Sequence, residues 1–155
     1  MRIDIPKVPA DGGWYEEDVP ASVLELEADP RVRPGGPISC RFFVQRVSGE
    51  LVVKGRLGMP ASLQCGRCGC FFSTTVSDLS FLRAYDAPEG TETVDLTPDI
   101  REDILLSLPA YPLCSSECRG LCAQCGHNLN EGPCPCKPPA VGPGKWSALD
   151  KLKEL

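Results

Sequence analysis

Histidine is almost absent from this 155-residue chain, which has a single one at position 127. That scarcity rules out most acid–base constellations built on imidazole. Also missing is any run near the roughly 18 apolar residues of a membrane-crossing helix. The opening stretch MRIDIPKVPADGG lacks the apolar core of a secretory signal. No phosphate-binding glycine loop or nucleophile elbow occurs, and the acidic residues form no paired-carboxylate motif. These absences predict a cytoplasmic protein that is not an enzyme, has no membrane contact and takes no small-molecule substrate.

Loop-forming residues and cysteine are abundant instead. The chain has 15 Gly and 16 Pro, so turns must be frequent and metal staples would help it fold. Its length fits one domain, or one domain with a small appendage. In a reducing cytosol its ten cysteines are metal ligands or free thiols more readily than disulfides.

Charge is unevenly spread. The formal net charge is −5, which taken alone argues against sequence-independent nucleic-acid binding. Yet residues 31–83 hold 8 basic and 2 acidic side chains, between an acidic start and an acidic stretch over 84–113. The basic residues are Arg31, Arg33, Arg41, Arg46, Lys54, Arg56, Arg67 and Arg83. Such a middle can present a phosphate-attracting face. Equally, these can be solvated strand positions paired with the acidic flanks. Arg41, Arg46, Lys54, Arg56 and Arg67 are the candidate nucleic-acid contacts.

The chain reads as three parts. Residues 1–37 are an acidic, Pro-rich segment. Within it Arg2 to Ile5 suits a short edge strand, Ser22 to Glu27 suits strand or helix, and Pro30 to Pro37 is a linker-like break. Residues 38–110 are a β-rich core with one helix. Ile38 to Val47 and Leu51 to Leu57 are strands joined at Ser48-Gly49; Met59-Pro60 interrupts, and Phe71 to Val76 and Leu79 to Tyr85 are further strands. Thr97-Pro98-Asp99 opens a helix that Thr97 caps and Pro109 ends, with Ile100, Ile104 and Leu108 on one face and Leu105 beside them. Residues 111–155 are a Cys-rich tail, with a Pro/Gly linker over 137–144 and a short helix over 146–154. The fold class is α+β and mainly β: a small antiparallel sheet or partial barrel, one packed helix and a zinc-ribbon-like C-terminal segment.

Eight cysteines fall into four close pairs: Cys65/Cys68, Cys114/Cys118, Cys122/Cys125 and Cys134/Cys136. Zinc takes four ligands in a tetrahedron, usually two from each of two such turns, so eight thiolates make two complete sites. One scheme joins Cys122/Cys125 to Cys134/Cys136 and Cys65/Cys68 to Cys114/Cys118. The other groups Cys114, Cys118, Cys122 and Cys125 and leaves Cys65/Cys68 with Cys134/Cys136. Local closure costs less loop entropy and favours the first. Ligand type alone admits an iron–sulfur cluster as well. A thioredoxin-like role for Cys65/Cys68 lacks its βαβ setting. Cys40 alternates with Phe42 and Val44 as a core thiol. Cys70 is a spare thiol or an alternate ligand, and His127 sits at an exposed ribbon position or substitutes for a ligand. Closed all-cysteine zinc sites are structural rather than catalytic.

The run Leu108-Pro109, Pro112-Leu113-Cys114, Cys118-Arg-Gly-Leu-Cys122, Cys125-Gly and Asn128-Leu-Asn130-Glu131, with Leu63-Gln-Cys65-Gly-Arg-Cys68 and Arg46-Val47-Ser-Gly-Glu-Leu51 upstream, resembles the YceD family of large ribosomal RNA subunit accumulation proteins. The likeness runs from about residue 38 onward. Gly69-Cys70 departs from the Leu common in the family after the CxRC turn. The resemblance implies a non-enzymatic factor supporting synthesis, processing or stability of large-subunit ribosomal RNA, with that RNA or a ribosomal protein as partner. Two other classes stay open: a zinc-stabilised module docking on a ribosomal protein or nuclease, and a thiol redox sensor.

Overall fold

A computed structural model describes residues 1–136. The 137–144 linker and the 146–154 helix expected from the sequence lie outside the described residues.

The architecture is built on one long central strand. Strands are β1 (Arg2–Asp4), β2 (Gly13–Val19), β3 (Val32–Pro34), β4 (Ile38–Val47), β5 (Glu50–Gln64), β6 (Phe71–Asp86) and β7 (Thr93–Asp95), followed by helix α1 (Thr97–Leu106). A five-stranded antiparallel sheet has β5 at its centre. One edge of β5 is shared between β4, which pairs with its first half, and β3, which pairs with Ala61–Leu63; β6 runs along the other edge. β2 extends the sheet beyond β4. A separate two-stranded sheet pairs β1 with β7. The sheets are not closed into a barrel.

Alternation sets the two faces. On β4, Ile38, Cys40, Phe42 and Val44 are buried; on β5, Leu51, Val53, Leu57, Met59, Ala61 and Leu63 are. Ile100 and Ile104 of α1, Ile3 of β1 and Leu24 join the same core, with Leu105 and Leu108 packed against it. Gly55 lies between Phe42 and Phe81 in the strand register, and those two rings stack at 4.5 Å. A Cβ at Gly55 would meet the Arg41 carbonyl at 2.1 Å, so glycine is required there.

Several elements differ from the sequence reading. Met59-Pro60 does not interrupt β5. A strand residue's N–H and C=O point to one side, and the Pro60 carbonyl accepts from the Gly35 amide at 2.7 Å. The missing donor of Pro60 therefore faces the turn between β4 and β3, and the ladder to β6 is untouched. Part of the expected Pro30–Pro37 break is itself strand β3. Residues 71–76 and 79–85 form one strand, because an irregularity opposite Gly55/Leu57 absorbs an extra residue rather than ending it. Ser22 to Glu27 is neither strand nor α-helix; a single 3-10 turn covers Ala21–Leu24. Thr97 is the first helical residue and Leu96 holds the cap position without a side-chain cap; Asp95, just before it, accepts from the Thr97 amide at 3.0 Å and its hydroxyl at 2.6 Å. The helix stops at Leu106, short of Pro109.

Between sheet and helix sits one polar cluster. Arg83 reaches Asp99 at 3.3 Å and Asp103 at 2.5 Å, and the Tyr85 hydroxyl donates to Asp99 at 2.6 Å. Burial holds the Asp103 carboxyl above its ordinary range despite the opposing pull of Arg83.

Phe42→Ala should cost about 3–5 kcal/mol in denaturant unfolding, whereas Leu82→Ser on the opposite face should stay within about 0.5 kcal/mol. Arg83→Met should destabilise at neutral pH by about 2 kcal/mol, below the figure for a fully buried pair because Arg83 is partly exposed. Without Arg83 the raised Asp103 carboxyl rises further, and protonation relieves its burial. The deficit in unfolding free energy relative to wild type should therefore shrink as pH falls through the Asp103 range.

Candidate metal centres

The hairpin joining β5 to β6 turns at Cys65-Gly-Arg-Cys68-Gly-Cys70. The Gly69 amide donates to the Cys65 carbonyl at 2.9 Å and the Cys65 amide to the Cys70 carbonyl at 2.9 Å. Gly69 has φ +72°, a conformation natural to glycine. Cys122-Ala-Gln-Cys125-Gly-His127 repeats this turn. Gly126, also at φ +72°, donates to the Cys122 carbonyl at 2.9 Å, and Cys122 donates to the His127 carbonyl at 2.8 Å. Cys70 and His127 thus occupy equivalent positions, each closing a turn through its backbone. Neither belongs to a four-sulfur group.

The sulfurs gather in two sets. Cys65, Cys68, Cys114 and Cys118 lie within 4.8 Å of one another, as do Cys122, Cys125, Cys134 and Cys136. This is the locally closed grouping. A tetrahedron with metal–sulfur bonds of about 2.3 Å has edges of about 3.8 Å. The Cys65–Cys118 and Cys68–Cys114 separations are 3.8 and 3.7 Å, so the first set fits such an ion by size and by donor type.

Turn amides explain which sulfurs accept charge. Burial opposes ionisation of Cys65, but the amides of Cys68, Cys114 and Arg67 outweigh it and bring the thiol down to about 6. The amides of Cys125 and Gln124 bring Cys122 to about 6 in the same way. Their partners move oppositely. The Cys70 amide favours the Cys68 thiolate, yet burial and the neighbouring sulfurs push it up to about 12; the Cys125 side chain, then burial, pushes Cys136 to about 12. Four thiolates at this spacing repel one another, and a bound cation would relieve that repulsion.

The first set is held by more than its own turns. The Gly66 amide donates to the Pro112 carbonyl at 2.8 Å. The Arg67 guanidinium donates to the carbonyls of Ser116 and Cys118 at 3.1 and 3.0 Å. Asn130 donates to the Cys118 sulfur at 3.4 Å and to Asn128 Oδ1 at 2.8 Å, and accepts from the Arg119 amide at 2.8 Å. Asn128 donates to the Cys70 sulfur at 3.6 Å and to Glu131 at 2.9 Å. Both asparagines sit beside the second set in sequence; Asn130 reaches Cys118 of the first set and Asn128 reaches Cys70 of the hairpin that carries it, tying the two regions together. Sequence reasoning gave them no role; their only signal was the Asn128-Leu-Asn130 run quoted in the resemblance.

The candidate nucleic-acid residues separate. Arg67 is engaged with the Cys114–Cys118 turn. Arg41, Lys54 and Arg56 stand on the outward face of the sheet, with Arg41 at 2.9 Å from Glu16. Arg46 has the alternation of the inner face but is exposed beyond the core. Arg83 points inward to the helix, and Arg31 pairs with Asp29 at 3.0 Å. Cys40 is buried, which raises its thiol to about 12.

The family model for large ribosomal RNA subunit accumulation protein YceD matches residues 53–153. An uncharacterized protein of Mycobacterium tuberculosis is 34% identical over 153 residues, 86% of this chain and 72% of that protein. An uncharacterized protein of Mycobacterium leprae is 32% identical over 110 residues, 61% of this chain and 50% of that protein. The chloroplastic large ribosomal RNA subunit accumulation protein YCED homolog 1 of Arabidopsis thaliana is 25% identical over 154 residues, 73% of this chain and 48% of that protein. The chain spans about half the length of the last two. No solved structure matches it.

Arg67→Met should lower stability by about 1–2 kcal/mol and speed amide exchange over residues 114–119. Unchanged exchange there would mean the guanidinium does not hold the turn.

Proposed function

The chain belongs to the YceD family, and on that premise we propose that it is a non-enzymatic, zinc-binding cytoplasmic factor supporting synthesis, processing or stability of large-subunit ribosomal RNA. The family match carries the RNA role. What supports the zinc reading is the approach of eight cysteine sulfurs in two sets of four.

Zinc at each set would supply cohesion and charge neutralisation rather than chemistry, since four thiolates leave no open coordination position. Cys65, Cys68, Cys114 and Cys118 would hold one ion and Cys122, Cys125, Cys134 and Cys136 the other. The protein's own residues prepare each site: turn amides point at Cys65 and Cys122, and Asn130 donates to Cys118. Arg67 and the Gly66 amide bring the post-helix segment against the hairpin tip. No helix among the described residues is long and apolar enough to cross a membrane.

Purified protein should carry two equivalents of zinc. Cys65→Ser and Cys134→Ser should each lose one, and the double variant both; a double variant retaining one would sink the grouping. Chelation should increase proteolysis over residues 111–136. Deleting the gene in the host should lower large-subunit relative to small-subunit ribosomal RNA, and the double variant should not restore it. Unaltered ribosomal RNA would overturn the proposed role, and reversible loss of zinc under mild oxidant would favour a thiol sensor.

A further inference from the structure

The outward face of the five-stranded sheet carries its side chains in rows set by the strand register. One row runs Trp14, Phe43, Lys54, Leu82 across β2, β4, β5 and β6. The next places Glu16 beside Arg41 and Arg56. Further along come Ser39, Gly58 and Ser77, then Pro60 and Thr75, then Arg33, Ser62 and Ser73. Beyond them Phe71 lies opposite Gln64.

Both ends of this face combine a cation with a ring. Arg41 lies 5.1 Å from the Trp14 ring centroid and Lys54 lies 5.4 Å from that of Phe43. At the other end Arg33 lies 3.8 Å from the Phe71 centroid. Trp14 is 61% exposed, and Leu79 and Leu82 of β6 are exposed beside it. Between the ends the floor is Gly58, Pro60 and small hydroxyl side chains. Among the described residues Arg33, Lys54 and Arg56 have no carboxylate partner within 4.0 Å. The acidic side chains of the row ends are engaged locally: Glu16 with Arg41, and Asp18 with the Ser39 hydroxyl at 2.8 Å.

We propose that this outward face binds single-stranded RNA, with bases stacked on Trp14 and Phe43, phosphates on Lys54, Arg56 and Arg33, and sugar–phosphate groups on the hydroxyl floor. Interleaved rings and unpaired cations are what a sequence-tolerant single-strand platform requires, and small hydroxyls suit backbone contacts. From the Lys54 row to the Ser62 row is eight strand residues, roughly 26 Å, enough for several nucleotides. The unpaired cations favour a polyanion over an apolar protein partner. The proposal rests on the ribosomal RNA reading for which RNA is met in the cell, but its test does not use ribosomes.

The test is fluorescence anisotropy of the zinc-loaded full chain with labelled oligouridine and oligoadenine RNAs of about 12 nucleotides, and with an RNA duplex, across a salt series. Single strands should bind more tightly than duplex. Trp14→Ala should weaken binding by about 5- to 150-fold with the salt slope unchanged. The Lys54→Ala/Arg56→Ala double variant should reduce the slope by about 1.4. Arg46→Ala, which removes a cation from outside this face, should change neither, and circular dichroism should confirm that each variant is folded. No binding at low salt, equal binding to duplex, or an Arg46→Ala effect matching the double variant would overturn the proposal. So would self-association of the chain that Trp14→Ala abolishes, since that would make a second copy the occupant. These results stand apart from the ribosomal RNA ratio in the host, which tests the cellular role.

Discussion

The meeting of the β5–β6 hairpin tip with the segment after α1 is the constraint on which the other arrangements depend. Cys65 and Cys68 stand at the end of a 15-residue strand, and Cys114 and Cys118 come from beyond the helix. Bringing the four sulfurs within 4.8 Å fixes where the chain leaves α1. The hydrogen bonds from Gly66 and Arg67 act in the same direction, so the junction does not rest on sulfur alone. The second set then hangs from the first through Asn130 at Cys118, and from the hairpin through Asn128 at Cys70. A short turn of backbone with its amides aimed inward accounts for both sets, because the same CxxCG geometry appears at each.

The inner and outer faces of the sheet differ in what holds them. The inner face is an apolar layer in which Phe42 and Phe81 meet across Gly55 and the helix adds Ile100 and Ile104. An ionic cluster there, Arg83 with Asp99 and Asp103, orients the helix on the sheet rather than contributing much net energy. The outer face has no covering layer among the described residues; Trp14 and Phe43 meet edge to face at 5.5 Å, and these rings and Phe71 each also carry a cation.

Much of this was legible in the sequence, for physical reasons that can be named. Strand β4 and its turn were readable because Ile38, Cys40, Phe42 and Val44 alternate cleanly and Ser48-Gly49 adopts positive φ at both residues. The cysteine grouping was readable because spacing limits which turns can meet cheaply. Strand β5 was cut short at Pro60, since the side to which a proline's missing N–H points depends on the neighbouring strands. The bulge near Ser80 hid the continuity of β6 for a similar reason: irregularity breaks the period-2 pattern without ending the ladder. Arg83 looked like one more surface cation, because its partners lie 16 and 20 residues away on the helix. Asn128 and Asn130 carried no chemical signature by themselves; their function is to donate to sulfurs brought close only by the fold.

The two four-cysteine sets also differ in how far apart along the chain their members lie. The set from Cys122 to Cys136 closes within one short stretch. The set from Cys65 to Cys118 cannot close until β6, β7 and α1 have been made between its halves. During synthesis the hairpin tip therefore emerges long before its partners and waits with two thiols uncovered. Cys118 precedes Cys122 in the chain, so the long-range set has all four of its sulfurs first, and the local set completes only when residue 136 is made.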